Sequence, residues 1–119
     1  MDYGLAILRV AECVAKSITF AKALEAAEDA NLHMKVRWTG LHGRNLSHWA
    51  NPERWINGHG PATQDSVECA VVVPVATPLT AISGFVHEIV SDLFVVFGGT
   101  EISLDVTEDL VQRLLSRNL

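Results

Sequence analysis

Cysteine is scarce in this chain, and long hydrophobic runs are missing. The 119 residues hold two cysteines, Cys13 and Cys69, far apart and each set in an apolar pattern. That placement favours buried free thiols over a disulfide, and with no cation close in sequence to lower a thiol pKa, reactive-cysteine chemistry is not expected. Apolar residues make up 49% of the chain, yet charge or proline breaks every run well before bilayer length, so no membrane partner is expected. A charged, apolar and small-residue leader is also missing, which makes the cytoplasm the expected compartment. An excess of positive charge is lacking as well: the net charge of −5 argues against a general nucleic-acid binder. With no repeat, low-complexity tract or linker, the 119 residues read as one domain with a real core.

The motifs of common chemistries are absent too. Neither the G-x-x-x-x-G-K-S/T nor the G-x-G-x-x-G phosphate pattern occurs, although Gly40 and Gly43 lie close together. No G-x-S-x-G elbow is present, and Ser47, His48 and Asp65 do not make a triad, because adjacent residues rarely present a hydroxyl to an imidazole in attacking geometry. His42, His48 and His59 match no zinc spacing, and His87 sits beside Val86 and Glu88 as a boundary residue would. Hence no catalytic residue, metal or cofactor is assigned, and an enzyme is less expected than a binding or association module.

What is present begins with a helix. Residues 4–30 contain no proline and, after Gly4, no glycine, and Ile7, Val10, Val14, Ile18, Ala21 and Leu24 recur at helical steps. Arg9, Glu12 and Lys16 fall on the opposite side, while Cys13, Phe20 and Ala27 trace a second apolar face, either a docking surface or the margin of a wide stripe. Next, Met34, Val36 and Trp38 alternate with Lys35, Arg37 and Thr39 as a half-buried strand would, and glycines 40 and 43 should turn the chain.

The stretch from Met34 to Asn57 holds all three tryptophans, with Asn51-Pro52-Glu53 reading as a helix start. From His33 to Trp55 four basic residues face one acid, a net of +3 that leaves −8 elsewhere. Arg37, Trp38, Arg44, Trp49, Arg54 and Trp55 are therefore the candidate binding residues for a base or an anionic ligand. The competing reading is structural, with the tryptophans folded back to cap a sheet, and parity puts Trp38 inward.

Ser66 to Val75 reads as an inner strand with Val67, Cys69, Val71 and Val73 on one face, ended by Pro74. Thr77 and Pro78 should open a helix carrying Leu79, Ile82, Val86, Ile89, Leu93 and Val96, stopped by Gly98 and Gly99. Glu101 to Val106 alternates as a third strand, and Thr107 is expected to cap a last helix, with Val106 and Val111 as a hydrophobic staple.

The expected fold is thus α+β, a two-layer sandwich with helices on one face of a mainly antiparallel three-stranded sheet, in ferredoxin-like order without its first strand. A missing strand leaves an edge for a parent chain or a second copy to cover.

The residues Arg37-Trp38-Thr39-Gly40-Leu41, Gly43-Arg44, Leu46 and Trp49-Ala50-Asn51-Pro52 resemble a segment near the C-terminal end of longer bacterial proteins. Those proteins are described as ATP-binding or transcriptional-regulator proteins with an N-terminal Schlafen-type AlbA DNA-binding domain. That domain is not within these residues, and no catalytic residue of the family maps onto the chain. The resemblance implies an accessory domain of a larger bacterial protein. The missing edge strand, the second apolar face of the first helix and the lack of catalytic groups make a regulatory or self-association unit the expected function. Its expected partners are a second copy or the rest of the parent chain.

Overall fold

The computed structural model describes residues 3–43, 62–97, 99 and 101–118. Along the chain run α1 (Tyr3–Ala23), β1 (Asn31–Trp38), β2 (Val67–Pro74), a short 3-10 turn (Leu79–Ala81), α2 (Ser83–Phe94) and α3 (Leu104–Asn118). Helix α2 is central: it packs on β2 and against both α1 and α3, which also touch each other. The architecture is α+β, three helices and a two-stranded antiparallel sheet packed against them.

Helix α1 buries the stripe the spacing implies, Ile7, Val10, Val14, Ile18 and Ala21. It stops at Ala23, well before the expected end at residue 30. Glu25 takes φ +58°, its amide donates to the Lys22 carbonyl at 3.0 Å, and the Ala26 amide donates to that of Ala21 at 3.1 Å. These two bonds are the Schellman closure, normally built on glycine, and here a glutamate adopts the left-handed conformation that nothing in the sequence announces. Leu24 is consequently exposed instead of extending the buried stripe. Cys13 is exposed too, against the expectation of two buried thiols, because its position on α1 faces away from α2 and α3.

The strands pair in register from Asn31 opposite Pro74 to Trp38 opposite Val67. On β2, Val67, Cys69, Val71 and Val73 are buried and the intervening residues exposed. On β1, Leu32, Met34, Val36 and Trp38 are only half-buried, because β2 takes the place over α2 and β1 lies outside it. Trp38 does face the core, as parity requires. Among the described residues β1 is the only partner of β2, so the inner position expected for β2 is not shown.

Two further expectations are corrected. Thr77 does not cap α2. Its amide closes a turn onto the Pro74 carbonyl at 3.0 Å, and Pro78 leads into the 3-10 turn, so the α-helix begins only at Ser83. More consequentially, Glu101 to Val106 form no third strand, because α3 begins at Leu104. A strand would turn Ile102, Leu104 and Val106 the same way, but Leu104 is 46% exposed while Ile102 and Val106, four residues apart, both pack on the core. Ser103 supplies the cap: its hydroxyl accepts from the Val106 amide at 3.3 Å. Thr107, expected as cap, is instead fully buried within the helix, with its hydroxyl on the Ser103 carbonyl at 3.4 Å. A sandwich of helices over three strands in ferredoxin-like order is therefore not formed by the described residues.

Candidate functional site

The sequence directs attention first to the tryptophan and arginine stretch. Its two ends are tied together. Gly40 and Gly43 turn with φ +69° and +80°, the Leu41 amide donates to the Asp65 carbonyl at 2.9 Å, and the Gly43 amide donates to that of Ala62 at 3.2 Å. Thr63 then donates to the Val96 carbonyl through its amide at 2.9 Å and its hydroxyl at 3.2 Å. Leu41 and Ala62 are buried, so the stretch leaves and rejoins the body beside the C-terminal end of α2. Arg44, Trp49, Arg54 and Trp55 lie outside the described residues, as does the helix start at 51–53.

Of the six candidate binding residues, Arg37 and Trp38 are described, and the structure separates them. Trp38 turns inward and Arg37 outward on consecutive positions of β1. Arg37 joins His33 and Lys35 in an exposed row. Lys35 forms an ion pair with Glu68, the residue directly opposite Arg37 in the strand register. Both members of the pair are well exposed, and such pairs contribute little to stability.

The chemically reactive groups elsewhere are engaged by the fold. His87 on α2 sets its Nε2 2.9 Å from the Ile102 carbonyl, tying α2 to the segment that leads into α3. Ser91, one turn on, donates to the His87 carbonyl at 2.7 Å and not to its ring. Cys69 faces α2. Burial, then the Asp92 carboxylate as hydrogen-bonding partner and charge, then Glu88, push its thiol up to about 11. It is a poor nucleophile there. Among the described residues no group of three or more His, Cys, Asp or Glu side chains could hold a metal ion. No helix among them is long and apolar enough to cross a membrane.

What remains is the outer face of α1. Leu5, Arg9, Cys13, Lys16, Phe20 and Leu24 follow one another at steps of three and four, with Glu12 four residues before Lys16 on the same face. The Leu24 amide donates to the Phe20 carbonyl at 3.1 Å, so Leu24 continues the helical path. Leu5 is 52% exposed, Phe20 64% and Leu24 66%. Between these apolar ends, the Lys16 ammonium lies 2.6 Å from the Glu12 carboxylate, whose pKa is lowered by that hydrogen bond and charge. The sequence flagged Phe20 and Cys13 as a second face, and both are exposed. It missed Leu5 and misassigned Leu24 to the core, because the early stop at Ala23 is silent in the sequence.

Fold and surface together define a small α+β domain with an amphipathic helix face turned to solvent. Comparison with protein-family models, with curated proteins and with solved structures gives no match.

Proposed function

We propose that this chain is a non-enzymatic self-association domain, the regulatory accessory part of a bacterial transcriptional regulator that acts in the cytoplasm as a homodimer. One observation carries the association: Leu5, Phe20 and Leu24 are all more than half exposed along a single face of α1. Phe20 and Leu24, one turn apart, make an apolar pair of the kind that marks an interaction surface, with Leu5 about 22 Å away at the other end of the helix. The engagement of His87, Ser91 and Cys69 by the fold supports the non-enzymatic part. The regulator rests on the sequence resemblance alone, and its compartment is the expectation drawn from the sequence. Light scattering over a concentration series tests the reading. Mass should rise from monomer towards dimer, and a constant monomer mass at every concentration would rule it out.

A second reading, binding of nucleic acid or an anionic ligand through Arg37, Trp38, Arg44, Trp49, Arg54 and Trp55, is favoured by the exposed row His33, Lys35 and Arg37. A two-stranded ribbon has the width of a DNA major groove. The chain's charge of −5 works against it. Mobility shift with duplex oligonucleotides at low salt decides: binding should fall steeply with salt and weaken in Lys35→Ala and Arg37→Ala. No shift at low salt disposes of this reading.

A further inference from the structure

On the outer face of α1 the Glu12–Lys16 pair is its own complement when reversed. This matters because a two-fold contact is isologous: if residue i meets residue j of the partner, then j meets i. Three ways of laying α1 against a second α1 can be compared. In a parallel pair each residue meets its own copy, so Arg9 faces Arg9 and Lys16 faces Lys16 across the seam. In an antiparallel pair centred between positions 12 and 13, Leu5 meets the partner's Phe20, but Arg9 meets the partner's Lys16. Both arrangements set cation against cation.

The third arrangement is antiparallel about the midpoint of Glu12 and Lys16. Glu12 then meets the partner's Lys16 and Lys16 meets the partner's Glu12, joining the two intrahelical pairs, each 2.6 Å long, into a ring of alternating charge. Arg9 and the partner's Phe20, and likewise Leu5 and the partner's Leu24, lie one residue, about 1.5 Å, from direct opposition, within reach of a cation–π and an apolar contact. Every large side chain on the face finds an apolar or opposite-charge partner.

We propose that α1 is the homodimer seam of this protein, pairing antiparallel with a second copy in this third register. The proposal rests on the self-association reading above and adds which surface and which register. Helix α1 has 21 residues, so the seam is about 32 Å long. A single helix pair is smaller than a standard protein interface, which makes a concentration-dependent dimer the expected species.

Sedimentation equilibrium on the full chain under reducing conditions tests it, with four forms compared. Phe20→Lys sets a cation against the partner's Arg9 at both ends of the seam, and should raise the dimer Kd by at least about tenfold. Lys16→Glu sets four carboxylates around the axis and should raise it similarly, while the exchange Glu12→Lys with Lys16→Glu restores the alternation and should return it close to the parent value. Phe20 is 64% exposed and Lys16 66%, so circular dichroism and melting should hardly change. A dimer indifferent to Phe20→Lys and Lys16→Glu overturns the seam and leaves self-association standing. A dimer lost in Phe20→Lys but not recovered in the exchanged pair overturns the register. Monomer throughout overturns both the seam and the reading beneath it. Cys13 provides a check in a different observable. Its two copies sit within a turn of the axis, so a short bis-maleimide should join them and Cys13→Ser should abolish the product, with Cys69 buried.

Discussion

Glu25 shows how one residue can decide an element's end without a sequence signal. A non-glycine residue in the left-handed region costs roughly 1–2 kcal/mol, and Glu25 is exposed with φ +58°. Glu25→Gly should therefore raise stability by about 1 kcal/mol, read as a higher midpoint in thermal or urea unfolding. The two cysteines separate by the same kind of local reasoning. In the native protein a maleimide should label Cys13 alone, with Cys69 reacting only after denaturation. The Cys69 thiol is raised from an ordinary value of 9.0 to about 11, chiefly by burial. Below pH 9 both states keep the proton and stability is unaffected. Above it the unfolded chain ionises first, so stability should fall as pH rises from 9 to 11, and Cys69→Ala should flatten that decline. Trp38 and Arg37 form a third contrast. Trp38→Ala should cost about 2 kcal/mol, less than for a fully buried tryptophan, while Arg37→Ala should stay within about 0.5 kcal/mol.

At the scale of the element, the informative case is Ser103. A strand reading and a helix reading of 101–106 compete, and the hydroxyl that caps the Val106 amide commits the segment to α3. Ser103→Ala should cost about 1 kcal/mol, seen in equilibrium unfolding, whereas Thr107 is inside the helix and is not the cap. Helix α2 carries more. Its buried face, Val86, Ile89, Val90, Leu93 and Phe94, touches β2, α1 and α3 at once, and Phe94 meets Tyr3 edge to face at 6.4 Å. Ile89→Ala should cost about 3 kcal/mol, enough to bring a domain of ordinary stability close to unfolding.

The whole molecule is elongated, 44 by 27 by 18 Å, with a radius of gyration of 14.7 Å against about 13.5 Å for a compact chain of this length. Small-angle scattering should give a radius that grows with concentration as dimers form. A radius independent of concentration speaks for a monomer and against the seam on α1.

The sequence by itself determined whatever depends on periodicity over a long window. The buried stripe of α1, the inward parity of Met34, Val36 and Trp38, the buried alternation of β2 and the apolar face of α2 were all legible, since burial repeats every 3.6 or 2 residues regardless of neighbours. The exposed Cys13 and Phe20 were legible as a second face, but not as an open one. Tertiary structure decided three matters. It ended α1 at Ala23 through a strained glutamate, it made 101–106 a turn and a helix start in place of a strand, and it seated β2 rather than β1 on α2. Six residues are too few for the two periods to be told apart, and which strand gains the helix is fixed by contacts between segments distant in sequence.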